Sequence, residues 1–203
     1  MTAAMNMSEA KAREEICRVG ESLFQRGYVH ATAGNISVRL DHGFLITPTD
    51  ACLGFLDPAD LALLDHNGHQ LSGKRASKTI ALHRKIYEAS DHAPGSWPAH
   101  CVIHTHSTHC VGLSLRAKGP ELLPPITPYF VMKVGHVPLI PYFRPGDVLA
   151  ADAVADAILH YAKVDTPIRA VMLSRLGPNV WHQDLTQAMA TLEELEETAK
   201  LLQ

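Results

Sequence analysis

The sequence lacks the features that mark membrane, nucleic-acid-binding and disordered proteins. No apolar run approaches the roughly 20 residues that cross a bilayer, so we expect no membrane-spanning segment and no membrane partner. Lys and Arg number 18 against 21 Asp and Glu, and the resulting net charge of -3 offers no basic surface for nucleic acid. Only 19% of the residues are charged and 46% are hydrophobic, which excludes a disordered chain.

Cysteine is also scarce: there are four, none in CxxC spacing. The opening stretch MTAAMNMSEAKAREE has no apolar core after its basic residues, so we expect no signal peptide, reduced thiols and a cytoplasmic protein. A length of 203 residues predicts one domain, 1–203, in which residues 1–7 form a disordered tail.

Helical and strand-like patterns interleave along the chain without an internal repeat. Apolar periodicity and capping residues predict helices from Ser8, from Ser77, over 152–163 and from Asp184, and short apolar runs predict strands in ISVRL, FLITP, CVIHTHS and RAVMLS. The stretch 120–147 holds seven of the 13 prolines, which predicts loops and short strands. The fold class is therefore α/β, layered around one sheet.

What the sequence has in abundance is histidine, with 13 residues. His104 and His106 lie in the run CVIHTHSTHC, and alternate side chains of a strand share a face. The two imidazoles therefore project together and suit a zinc ion, although a hydrogen-bonded pair at a strand end would give the same pattern. His30 and His136 fall in loops, so their positions are not predicted.

Polar residues in two further stretches suggest an anion pocket beside such a metal. Ser77 and Lys78 begin a predicted helix, where free backbone N–H groups attract phosphate or carboxylate. Thr32, Asn35 and Thr49 lie in loops between strands and could donate hydrogen bonds to the same anion. The alternative for each is ordinary helix-cap, turn or solvated-surface chemistry.

The order of the motifs resembles the class II aldolase/adducin family. The matching pieces run from about Ala12 to Leu202 and read GNISVR, ITPTD, ASKTIALH, VIHTHS, PITPYF, LGPNVW and a closing EELEETAK. The stretches LGFLDP, SKT and PPITPYFVMKVG are most similar to the branch that decarboxylates 3-oxo-tetronate 4-phosphates. This resemblance implies a three-layer α/β/α fold with a mostly antiparallel central sheet. It also implies a homotetramer with active sites at subunit interfaces, and a small phosphorylated sugar or sugar-acid substrate.

The resemblance also assigns roles to individual residues. It makes His104 and His106 ligands of a divalent metal, most simply Zn2+, and it makes Tyr129 a proton donor lent to the neighbouring subunit's site. An amphipathic loop aromatic is the alternative for Tyr129. The positions that match the family's phosphate-binding residues are Asn35, Thr49, Ser77 and Lys78.

Two positions depart from the family pattern. Thr79 stands where members have the acid/base Glu, and Leu176 stands where members have the third metal histidine. His182, His109 or a residue of a neighbouring subunit could supply the missing ligand. Three functions therefore remain open. The first is a metal-assisted lyase, most simply a decarboxylase working through an enediolate. The others are a catalytically impaired binding or scaffolding protein like adducin and a changed enzyme whose metal is held differently.

Overall fold

The computed structural model describes residues 7–203. The helices are α1 (Glu9–Gln25), α2 (Ile80–His92), α3 (Thr108–Ser114), α4 (Pro128–Lys133), α5 (Val148–Lys163) and α6 (Leu185–Lys200). The strands are β1 (Asn35–Leu40), β2 (Gly43–Ile46), β3 (Ala62–Leu64), β4 (Gln70–Ser72), β5 (Cys101–His104), β6 (Leu139–Ile140), β7 (Ala170–Leu173) and β8 (Gly177–His182).

All eight of these strands form one sheet in the order β4-β3-β2-β1-β5-β8-β7-β6. Neighbours pair antiparallel except β6 and β7, which run parallel. Residues of α1, α3, α4 and α6 join one hydrophobic cluster on one face, and those of α2 and α5 join a second cluster on the other. The three-layer arrangement and the mostly antiparallel sheet expected from the family resemblance are therefore confirmed.

Several element boundaries follow from local chemistry that the sequence displays. The Ser8 side chain caps α1 by accepting from the Lys11 N–H, and the Asp184 side chain caps α6 by accepting from the Gln187 N–H at 2.8 Å. Helix α5 begins at Val148 rather than 152, because the Asp147 side chain caps it one turn earlier. The predicted start of α2 at Ser77 was also early, since the helix begins at Ile80.

Several elements were not predicted, including the short strands β3 and β4. Helices α3 and α4 have only seven and six residues, too few for the apolar periodicity that identifies a helix. Strand β8 begins at Gly177, just after the predicted RAVMLS strand, and was not among the predicted strands. The expected tail over 1–7 falls mostly outside the described residues, but its last residue, Met7, packs partly buried against the core. Within 7–203 no helix is long and apolar enough to cross a membrane.

Candidate active site

The sheet places three polar side chains in one row across its centre. His104 at the end of β5 pairs with Asn35 of β1 on one side and with Asn179 of β8 on the other. Side chains directly opposite each other in antiparallel strands share a face, and here it is the face covered by α2 and α5. The Asn35 Oδ1 and the Asn179 Nδ2 are buried without a hydrogen-bond partner, so both have bonding capacity to spare.

His104 is held in the form that binds a metal. Its Nδ1 lies 3.0 Å from the Pro178 carbonyl oxygen, which can only accept, so this nitrogen carries the proton. The Nε2 lone pair is then available, as in metal sites where the second ring nitrogen donates to a backbone carbonyl. His106 lies just beyond the strand, because β5 ends at His104, yet the two ring centroids are only 5.1 Å apart. Tetrahedral coordination with metal–nitrogen bonds of about 2.1 Å places two imidazole centroids about 5 Å apart, so this pair fits a shared metal.

The environment keeps these imidazoles neutral. Burial lowers the pKa of His104 to about 4; the neighbouring His106 lowers it further and the Pro178 bond opposes the shift. The pKa of His106 is lowered by burial and then by the nearby His30. A neutral imidazole is the form that ligates, so near pH 7 both rings are ready to bind a cation.

Beneath His104 lies a buried hydrogen-bonded cluster that we did not predict. The Ser37 hydroxyl bridges the His83 Nδ1 at 2.8 Å and the Tyr87 hydroxyl at 2.6 Å. Burial and the proximity of His104 lower the pKa of His83 to about 3, and its Nε2 is buried without a partner. The sequence signal was present, since Ser37 shares a strand face with Asn35 and His83 lies one turn before Tyr87, but partners 46 residues apart cannot be paired from spacing.

The segments predicted to bind an anion converge beside this row. The Thr47 side chain accepts from the Ile36 N–H at 3.2 Å, and the Thr47 carbonyl accepts from the Ser77 N–H at 3.2 Å. An isolated bridge between Pro48 and Ala76 adds a second link. These contacts bring the stretches that carry Asn35, Thr49 and Ser77 to one edge of the site.

The predicted phosphate ligands differ in exposure. Asn35 and Ser77 are buried, Thr49 is half-buried, and Thr32 and Lys78 are exposed. The Ser77 and Thr79 hydroxyls lie 2.8 Å apart, so Thr79 adds a hydroxyl to this edge where the family resemblance implied an acid. Neither is in the first turn of α2, because both precede Ile80, where the helix begins.

Leu176 directly precedes a glycine that packs against the chain beside His106. It is half-buried and packs on the α2–α5 side, in the turn before β8. The next residue must be glycine: Gly177 has φ 146°, and a Cβ there would lie 1.8 Å from the Thr105 carbonyl oxygen. This contact holds the turn against the chain between His104 and His106.

The two histidines suggested as substitutes lie elsewhere. His182 pairs with Cys101 at the far end of β5, and its Nδ1 accepts from the Gln183 N–H. His109 is on α3, where its Nδ1 donates to the Gln203 side-chain oxygen at 2.8 Å. Tyr129 is on α4, on the opposite side of the sheet from His104, and is 64% exposed. Within residues 7–203, no three His, Cys, Asp or Glu side chains are already arranged to hold a metal.

Comparison with known proteins gives the family. Residues 14–202 match the family described as Class II Aldolase and Adducin N-terminal domain. A 3-oxo-tetronate 4-phosphate decarboxylase from Cupriavidus necator is 54% identical over 196 residues, which cover 96% of this chain and 84% of the relative. A protein of the same name from Escherichia coli K12 is 39% identical over 96% of this chain and 87% of its own length.

Solved structures agree with the sequence relatives. YgbL from Escherichia coli superposes with a TM-score of 0.82 at 39% identity, covering 96% of this chain and 89% of that one. The L-fuculose-1-phosphate aldolase from Thermus thermophilus gives a TM-score of 0.74 at 29% identity, covering 94% and 92%. The chain therefore belongs to the class II aldolase/adducin family.

Proposed function

We propose that this protein is a lyase that decarboxylates a 3-oxo-tetronate 4-phosphate, a four-carbon acid with a keto group at C3 and a phosphate at C4. The observation that carries the proposal is the convergence of the predicted phosphate-binding segments with the His104–His106 pair at one edge of the sheet. The phosphate of such a substrate would bind the predicted phosphate-binding segments. Its adjacent hydroxyl and keto oxygens would face the metal at the histidine pair. Relatives named for this reaction, at 39% and 54% identity, support the same substrate class.

The reaction suits a site without the usual Glu. The C1–C2 bond breaks, carbon dioxide leaves, and the electron pair moves into the C3 keto group to give an enediolate. A proton then adds to C2, giving a three-carbon hydroxyketone phosphate. Retro-aldol cleavage instead needs a base to remove a hydroxyl proton, so Thr79 in place of Glu is compatible with decarboxylation and unfavourable for an aldolase.

Each site residue has a role in this scheme. When bound at His104 and His106, a divalent metal, which we propose to be zinc, supplies a Lewis acid for the keto and hydroxyl oxygens. The spare Asn35 Oδ1 accepts from the substrate hydroxyl and orients it. Tyr129 of a neighbouring subunit donates the proton to C2. Around the phosphate lie Thr32, Asn35, Thr49, Ser77 and Lys78, with Thr79 adding its hydroxyl.

The test is product formation by purified protein supplied with zinc. We expect release of carbon dioxide together with the hydroxyketone phosphate. A coupled assay that oxidises NADH detects the hydroxyketone phosphate. Lys78→Ala should raise KM by about 10-fold or more, because it removes a charge that binds the non-reacting end of the substrate. Lys74→Ala is the matched control: this exposed lysine pairs with Asp60 at 2.7 Å, so its loss should leave KM unchanged. No product from any stereoisomer would contradict the proposal.

A non-catalytic binding or scaffolding role is the second candidate. It is favoured by Leu176 and Thr79, which stand where the resemblance implies a metal ligand and an acid/base. Leucine offers no lone pair, and two imidazoles alone hold zinc weakly. Elemental analysis separates the two functions: about one metal ion per chain supports the lyase, and none after supplementation supports the scaffold.

We further propose a cytoplasmic homotetramer with sites at subunit interfaces. Helix α4 carries three exposed apolar side chains, Tyr129, Val131 and Met132, at 64%, 53% and 75% exposure, which suits a subunit contact. The four cysteines of the described chain are free, which fits a reducing compartment. Light scattering should give four times the chain mass for the wild type and a smaller species for Met132→Glu.

A further inference from the structure

The candidate metal site has one protein ligand fewer than its chemistry needs. Catalytic zinc sites use three protein ligands and leave the fourth position for water or substrate. Here His104 and His106 supply two, and Leu176 stands where the resemblance implies the third. The identity of the missing ligand rests on the metal-binding part of the proposed function, and a residue of this chain can supply it.

The loop between α1 and β1 lies directly on the His104 backbone. A Cβ at Gly34 would lie 2.9 Å from the His104 carbonyl oxygen and 2.8 Å from the Val29 side chain, so the two ends of the loop pack tightly there. Between these anchors the His30 carbonyl accepts from the Ala33 N–H at 2.9 Å, which closes a turn. The loop therefore presents residue 30 beside the histidine pair.

The His30 ring is the third imidazole of this neighbourhood. Its centroid lies 6.5 Å from that of His106, with the rings at 74°, whereas the His104 and His106 centroids are 5.1 Å apart. Joint tetrahedral coordination needs about 5 Å, so His30 must approach by about 1 to 2 Å. Its side chain is exposed, and a rotamer adjustment in an exposed side chain supplies that movement.

The other histidines near the site do not offer the same geometry. His182 is at the opposite end of β8, and the His109 ring is bonded to Gln203 at 2.8 Å. The His83 Nε2 is free, but this side chain is fully buried between α2 and the sheet, with its other nitrogen fixed by Ser37. His30 is the candidate that faces solvent, where a metal and a substrate can enter.

We propose that His30 is the third protein ligand of the metal, completing a His30–His104–His106 set that replaces the ligand lost at Leu176. The site then has three imidazole ligands and one open position. Because His104 ends β5, His106 follows it and His30 belongs to a loop, the metal also ties the loop over 29–34 to β5.

The test is the metal affinity of protein stripped of metal, measured by titration with zinc against a chromophoric chelator. We expect one zinc per chain for the wild type. His30→Ala should weaken binding by more than about 100-fold, beyond the 10- to 100-fold that loss of an outer-shell partner costs. His109→Ala and His182→Ala should bind zinc like the wild type, and circular dichroism should show that all three variants are folded.

His30→Cys provides a positive signal that a merely structural role would not produce. With Co(II) in place of zinc, it should restore tight binding and add a thiolate-to-cobalt charge-transfer band in the near ultraviolet that the wild type lacks. Wild-type-like zinc affinity in His30→Ala would overturn the assignment of His30 while leaving the proposed function standing. No zinc binding by the wild type would overturn both the assignment and the metal-dependent mechanism.

Discussion

Glu196 on α6 connects the closing helix of the chain to the histidine pair. Its carboxylate is 2% exposed and accepts from the backbone N–H groups of His109 at 2.9 Å and Cys110 at 3.0 Å. Both donors belong to the first turn of α3, which begins at Thr108, two residues after His106. The carboxylate thus satisfies free N–H groups at a helix N-terminus and fixes the chain leaving the site.

The cost of removing this carboxylate follows from its burial. Hydrogen bonds to a charged group contribute about 1.5 to 3 kcal/mol each, and a buried donor left without a partner costs about 1 to 3 kcal/mol. Glu196→Ala removes the acceptor of two such bonds, so the free energy of unfolding should fall by about 3 kcal/mol or more. Glu196→Gln keeps one acceptor oxygen and points an NH2 group at the other donor, so we expect roughly half that loss.

Urea denaturation measures the effect, followed by the fluorescence of the two tryptophans, Trp97 and Trp181. Glu194→Gln is the matched control on the same helix: it keeps the Oε1 that accepts from Thr198, so its stability should stay within about 0.5 kcal/mol of the wild type. If Glu196→Ala also stays within 1 kcal/mol, on the order of the control, the reasoning about the buried cap is wrong.

Two further predictions concern the elements around the histidines. Gly177→Ala should destabilise the fold by about 3 kcal/mol or more, because its Cβ would collide with the Thr105 carbonyl oxygen. The control Gly95→Ala, at positive φ but with no atom within 4 Å, should cost only about 1 kcal/mol. Equal losses of stability in thermal unfolding would refute the Gly177–Thr105 contact. In metal-free protein, His83 stays neutral in the folded state down to about pH 3, whereas in the unfolded state it protonates below about pH 6.5. The free energy of unfolding should therefore fall by up to about 1.4 kcal/mol per pH unit as the pH drops from 6.5 towards 3. His83→Gln should reduce the slope of stability against pH by the contribution of one proton, and the exposed His160→Gln should leave that slope unchanged. An unchanged slope in both variants would contradict the neutral state of folded His83.

The fold was accessible from the sequence where local chemistry decides the structure. The Asp184 cap and the apolar stripe that follows it define α6, and the apolar run before His104 defines β5. The short helices α3 and α4 were not accessible: Glu196 of α6 caps the first turn of α3, and α4, although Thr127 caps it locally, has only six residues, too few to show periodicity. Glu196 illustrates the reason: its two donors lie 87 and 86 residues away.

Some residues of the candidate site could likewise be predicted from the sequence and others could not. His104 and His106 could be paired because two residues of separation keep their rings close, although His106 lies beyond the strand that was expected to hold it. The approach of His30 to His106 depends on how a loop folds onto the sheet, and no spacing rule encodes it. For the same reason His182 was a reasonable candidate from sequence, being six residues beyond Leu176, yet the extended β8 carries it to the far end of the sheet.

The most direct test of the whole account is carbon dioxide release from 3-oxo-tetronate 4-phosphate by the same protein before and after zinc is restored. We predict no release from the metal-free protein and steady release, with equal hydroxyketone phosphate, once one zinc per chain is bound. Equal release with and without metal would contradict the role of the histidine site. No release in either state would contradict the assignment of the protein as a decarboxylase.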